Sequence, residues 1–197
     1  MSASSSPLAV VTGAGSGIGY VNALIAELKT RARLGLNAAR EGDLSLVARA
    51  QAASGRATAP PREWRLRDCL SLVAIEVGFA SWDQARRVLG GQAVAGDDAG
   101  TFWHSPRCNG LLNHWFANVA EARAALATSD HRVLLPYRRQ FVVVDENYLR
   151  EIGVPRNDAH WSEAGRDLVA AYGSEAWLEL SRLRLLATRA VPPPRSG

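Results

Sequence analysis

Arg132-Val133-Leu134-Leu135-Pro136-Tyr137-Arg138-Arg139-Gln140-Phe141-Val142-Val143-Val144 is the stretch on which the fold turns. Two apolar runs, Arg132 to Leu135 and Gln140 to Val144, read as strands, and Pro136-Tyr137-Arg138-Arg139 between them is a connection of hairpin length. Downstream, Asp145 opens a helix over residues 145–152 that Gly153 and Pro155 stop, and a last helix runs from Glu175 to Thr188 before Pro192-Pro193-Pro194. Upstream, Leu111-Leu112-Asn113-His114-Trp115-Phe116 is a short strand candidate. Val119 to Ala127 is a helix capped by Asn118, with Glu121 at its third position. Strands and helices mixed in this way predict an α+β domain over residues 101–190, with 191–197 as a disordered tail.

Residues 92–100 (Gln-Ala-Val-Ala-Gly-Asp-Asp-Ala-Gly) are small and polar, the composition of a linker, and what precedes them reads as a helical module over 21–91. Residues 21–34 carry apolar side chains at helical spacing, Gly42-Asp43 punctuates, and Leu44 to Ala53 forms a second helix before a surface loop around Pro60-Pro61. Leu66, Cys69, Leu70, Val73, Ala74 and Val77 share one face of the next helix, Gly78 is placed to end it, and Phe79 can fold back to close that end. Ser81-Trp82-Asp83-Gln84 is a capping box, and Ala85, Val88 and Leu89 follow before Gly90-Gly91. The run Leu-x-x-Val-Ala-x-Glu-x-Gly-Phe-Ala-Ser-Trp within residues 66–90 resembles the small helical module found beside glyoxalase-related and ankyrin-repeat proteins in bacteria. That resemblance implies a packing or partner-binding unit and no reaction.

Near the N-terminus, Leu8 to Thr12 is an apolar run that feeds Gly13-Ala14-Gly15-Ser16-Gly17-Ile18-Gly19. A glycine turn between a strand and a helix leaves free N–H groups at the helix N-terminus, where they can hold a pyrophosphate. Thr12, Gly13, Gly17, Ile18 and Gly19 resemble the Thr-Gly-x-x-x-Gly-x-Gly signature of short-chain dehydrogenases. The resemblance implies a Rossmann-like sheet, NAD(P) as cofactor and a catalytic Tyr-x-x-x-Lys pair. The chain departs from it at that pair. Tyr20, Tyr137, Tyr148 and Tyr172 are followed four positions on by Leu24, Phe141, Ile152 and Ala176, and Lys29 is the only lysine. No second strand follows where a parallel partner must lie. Residues 1–20 are therefore expected to be a flexible or incidental segment, and NAD(P) enters only if the glycine turn works.

The composition is that of an ordinary soluble protein, 47% apolar and 21% charged. With 22 arginines to one lysine, the charge reflects a GC-rich bacterial genome as readily as selection for guanidinium chemistry, and a net +4 permits an acidic partner without requiring one. No apolar run approaches the roughly 20 residues that cross a bilayer, and no basic leader precedes one. The expected location is the cytoplasm, with no membrane partner and two reduced cysteines, Cys69 and Cys108.

Chemistry-bearing residues concentrate in Phe102 to Trp115, which holds one of two cysteines and two of four histidines. His104, Cys108 and His114 are the catalytic candidates, as a thiolate–imidazole nucleophile or as three of the ligands a zinc site would need. No standard metal signature matches, so no metal is expected. Tyr137, Arg138 and Arg139 form a second candidate, adjacent guanidinium groups on a turn able to grip a phosphate or carboxylate. Arg182, Arg184 and Arg189 are explained by placement near a helix C-terminus, and no RNA- or DNA-binding pattern raises nucleic acid as a partner. These observations favour a binding module for a protein or an anionic ligand, without a recognised reaction. The alternatives are an NAD(P)-binding dehydrogenase relative and a thiol- or metal-dependent enzyme centred on Cys108.

Overall fold

The computed structural model describes residues 17–54 and 60–189. In chain order the helices are α1 (Gly17–Arg40), α2 (Ser45–Ser54), α3 (Leu66–Glu76) and α4 (Trp82–Leu89), followed by a 3-10 turn at Pro106–Gly110. Then come β1 (His114–Phe116), α5 (Val119–Ala127), β2 (Val133–Tyr137), β3 (Gln140–Val144), α6 (Glu146–Glu151), α7 (His160–Glu163) and α8 (Glu175–Ala187). The fold is α+β, with a helical N-terminal part and a small antiparallel sheet, and no described helix is long and apolar enough to cross a membrane.

The hairpin pairs Val133 with Val144 and Tyr137 with Gln140, and β1 lies on the other side of β3, giving the order β1-β3-β2. Side chains alternate along strands, so the register sorts the sheet into two faces. Leu134, Val143, Phe116 and Phe141 face α5 and make a small core with Ala122 and Leu126. Val133, Leu135, Val142 and Val144 face the other way and join the large core of Leu28, Phe79, Phe102, Tyr148, Trp161 and Trp177. That core contains residues from both sides of the 92–100 segment. The outer edge of β2 is bridged at Leu134, whose N–H donates to Arg166 O at 2.8 Å and whose carbonyl accepts from Leu168 at 3.0 Å.

Local signals account for the element ends. Ser81 accepts from Gln84 N at 3.2 Å while the Gln84 side chain accepts from Ala80 N at 2.7 Å, a reciprocal cap. Asn118 caps α5, and the Asp145 carboxylate accepts from Asn147 and Tyr148 to start α6. Gly78, at φ +100°, ends α3 with Phe79 N donating to Ala74 O at 2.9 Å, and Phe79 is buried.

Three expectations shift. α1 begins at Gly17, inside the glycine motif, and runs to Arg40 rather than Leu34, because Leu24, Leu28, Ala32 and Ala39 all bury against the core. On α3 the buried face is Cys69, Leu72, Val73 and Ala74, with Leu66 39% exposed, so the stripe is rotated toward Leu72. Residues 92–100 pack: Ala93 N donates to the Tyr172 hydroxyl at 2.9 Å, the Gln84 amide donates to Asp98 O at 2.8 Å, and Thr101 N reaches Gly78 O at 2.6 Å. Thr12, Gly13 and the expected first strand lie outside the described residues, as does the 191–197 tail.

Candidate functional site

Trp115 on β1 and Tyr137 on β2 flank β3 on the face that enters the large core, and here, near the hairpin turn, that face emerges from it. Their rings meet edge-to-face at 4.9 Å between centroids, and Trp115 is 42% exposed. His104, on the segment before the 3-10 turn, completes the group, with its ring 5.2 Å from Tyr137 and 6.3 Å from Trp115. Each contact is edge-on, the arrangement that ring quadrupoles favour.

The hairpin turn holds the guanidinium groups. Arg138 sits at φ +52°, and its backbone is tied on both sides, N–H to Gly100 O at 2.7 Å and carbonyl to Ala99 N at 2.9 Å. Its guanidinium carbon lies 5.7 Å from the Tyr137 ring centroid. Arg138 and Arg139 are exposed, and neither makes an ion pair with a described residue.

Behind the rings the polar atoms form a chain. The Tyr148 hydroxyl lies 3.1 Å from Trp103 O and 2.8 Å from His104 Nδ1. The phenol has one proton for two neighbours: given to Trp103 O, it leaves His104 Nδ1–H to donate to the phenol oxygen, and given to Nδ1, it leaves the imidazole hydrogen on Nε2. Burial pushes the Tyr148 hydroxyl well above its ordinary range, so the phenol keeps its proton. Asn109 Oδ1 lies 2.9 Å from Nε2, the arrangement in which Nε2–H donates to the carboxamide oxygen.

Arg184 fixes this segment from below. It is 6% exposed, and its Nε, Nη1 and Nη2 donate to the carbonyls of Phe102, Ile152 and His104 at 2.8, 2.7 and 2.8 Å. Burial lowers its pKa to about 10, still far above neutrality. The expected helix-end role for Arg184 is therefore corrected: the side chain points inward and joins three segments. Arg182 pairs with Glu179 on the surface, and Arg189 reaches Glu27.

The other candidates do not come together. Cys108 is buried at 1% exposure, and burial pushes its thiol up, opposite to what a thiolate nucleophile needs. His104 spends both ring nitrogens on Tyr148 and Asn109, while His114 is exposed on the opposite, α5-facing side of the sheet. Among the described residues no group of three His, Cys, Asp or Glu side chains could hold a metal ion. Gly17, Ile18 and Gly19 form the first turn of α1.

No family model, curated protein or solved structure matches this chain. Its chemistry is read from its own geometry.

A groove of about 930 Å³ between α1, α2 and the ends of α3 and α8 is the main rival, with Leu34, Ala38, Ala52, Val73 and Ile75 among its lining. Its guanidinium groups are already spent. Arg31 holds Glu27 at 2.7 Å and Leu185 O at 2.7 Å, and Arg49 grips both oxygens of Glu76 at 2.9 Å. At the hairpin end, by contrast, two guanidinium groups without an ion pair among the described residues adjoin the exposed Trp115 and the half-buried Tyr137. Sequence reasoning named His104, Tyr137, Arg138 and Arg139, and missed Trp115, Asn109, Tyr148 and Arg184 as their partners. Trp115 carried a usable signal, since strand alternation alone puts it on the face opposite His114.

Proposed function

We propose that this chain is a binding module without a reaction of its own, and that its hairpin end takes a small planar anion. The supporting observation is the juxtaposition of exposed Trp115 and half-buried Tyr137 with the unpaired Arg138 and Arg139 guanidinium groups. Ring faces accept a flat ligand by stacking, worth about 1–3 kcal/mol per base in related settings. A guanidinium fork matches phosphate or carboxylate oxygens. Nucleoside monophosphates combine both demands, and no carboxylate among the described residues competes for the two arginines.

The test is a titration of the full chain with AMP, IMP, UMP and inorganic phosphate, followed by tryptophan fluorescence and calorimetry. Saturable binding of the nucleotides is expected, with phosphate alone at least tenfold weaker, about 1.4 kcal/mol. The double variant Arg138→Glu, Arg139→Glu should lose binding while keeping its circular dichroism. Absence of saturation by every nucleotide, or equal binding by the double variant, overturns the reading.

A further inference from the structure

We propose that Arg138 is the residue that grips the charged group of the ligand, a phosphate monoester, and that the hairpin carries this arginine at a cost to the fold. This rests on the binding role assigned to the hairpin end, and adds which side chain selects the anionic ligand over its neutral parent. The observation behind it is a contrast between two arginines.

Among the described residues, Arg138 and Arg166 are the two non-glycine residues with positive φ, at +52° and +61°. That left-handed region crowds Cβ against the following carbonyl, so glycine, or else asparagine or aspartate, is the ordinary occupant. At Arg166 the cost is offset inside the chain. Its guanidinium donates to the carbonyls of Ser129 and Arg132 and lies 3.8 Å from the Asp130 carboxylate, while its own carbonyl accepts from Leu134 N at 2.8 Å. The Arg166 side chain thus holds the loop that leads into β2.

Arg138 has the same kind of backbone without those contacts. Its bonds to Gly100 O and Ala99 N are main-chain bonds that do not depend on the side chain. The exposed guanidinium has no hydrogen bond or ion pair with a described residue, and what it meets is the Tyr137 ring, 5.7 Å from its carbon to the centroid. A cation–π contact at an exposed site is weaker than a left-handed backbone is costly. Asp98, beside the segment that ties the turn, directs Oδ1 at Gly100 N and the Gln84 amide, at 2.7 and 3.1 Å. A glycine would therefore make the better turn, and the arginine fits a partner that the chain itself does not supply. Arg139, whose φ is not positive, places no such demand on the backbone. With its main chain fixed and its cation against Tyr137, Arg138 sets a planar fork beside the surface on which a flat ligand stacks. The oxygens it takes then belong to the stacked molecule.

AMP and adenosine share base and ribose and differ in the phosphate, so the ratio of their affinities reads the anion contact. Full-length protein is titrated with both, as are Arg138→Gly, Arg138→Lys and Arg139→Gly, and a urea midpoint is measured for each. AMP should bind the unsubstituted chain about tenfold or more tightly than adenosine. Arg138→Gly should bring that ratio close to one and raise the midpoint, whereas Arg139→Gly should reduce the ratio by no more than about threefold and leave the midpoint no higher. Arg138→Lys keeps the charge and the strained backbone but loses the fork, and should retain less than about half of the ratio. Equal reductions by Arg138→Gly and Arg139→Gly, a midpoint that falls in Arg138→Gly, or equal binding of AMP and adenosine by the unsubstituted protein overturns the assignment and leaves the binding role standing. Failure of the unsubstituted protein to bind any nucleotide overturns both.

Discussion

The hydroxyl of Tyr148 has one proton for two neighbours, Trp103 O and His104 Nδ1, so its direction and the His104 tautomer are tied together. A comparable local choice is made at His160, where Nδ1 lies 2.6 Å from the Asp158 carboxylate and Nε2 4.0 Å from Glu163. The Asp158 hydrogen bond is the main cause of a raised His160 pKa in the fold, with the Asp158 and Glu163 charges acting in the same direction. A pKa raised above the unfolded value of about 6.5 adds stability that is fully present below that value and is lost as pH rises through the folded one. Urea midpoints measured from pH 5.5 to 8.5 should therefore fall across the upper part of that range by more than in His160→Gln. Parallel curves for the two proteins would show that this imidazolium does nothing for the fold. The pair is partly exposed, so the difference should be small and salt-sensitive.

At the scale of elements, backbone crosses backbone closely at the junction of α3 with residues 100–102. A Cβ on Gly78 would lie 2.8 Å from the Thr101 carbonyl carbon and 2.8 Å from Phe102 N, at a φ of +100° that side chains rarely adopt. Gly78→Ala should cost at least about 2 kcal/mol by urea denaturation. Gly96→Ala, at φ +88° with nothing within 4 Å, should cost only about 1 kcal/mol. Equal losses would mean that the close crossing contributes nothing beyond backbone strain. Ends of this kind were legible in the sequence because their information lies within a few residues: Ser81 with Gln84, Asn118 ahead of Val119, Asp145 ahead of α6, and Gly78 followed by Phe79. The rotated face of α3 was not legible, since Leu66 and Leu72 are equally apolar and only the placement of α1 and α2 decides which one is covered. The continuation of α1 past Leu34 was hidden for the same reason, its later turns being held by burial at Ala39.

Across the whole molecule, the candidate site was legible only in pieces. Tyr137, Arg138 and Arg139 are consecutive, and His104, Cys108 and His114 share one segment, so both groups could be named. That His104 joins the first group while His114 faces away depends on the β1–β3 register. That Tyr148 and Arg184 stand behind His104 depends on contacts across 44 and 80 residues. Such contacts leave no periodic trace, and a lone arginine on an amphipathic helix looks the same whether it points out or in.

The three carbonyls gripped by Arg184 have a kinetic consequence. They belong to segments 32 to 82 residues away along the chain, so the guanidinium can be satisfied only after α8, the end of α6 and the 102–104 segment have met. Until then, burying it would strand a charge. Bonds that need all three segments in place are expected to form after the main barrier to folding and to act as a brake on the way out. Arg184→Met should leave the refolding rate nearly unchanged and speed unfolding by tenfold or more, the pattern of an interaction absent from the transition state. Stopped-flow measurements of both rates check it, and a loss concentrated in the refolding rate would place the guanidinium in the nucleus instead. On this account the arginine beneath His104 governs how long the native state lasts rather than how quickly it is reached.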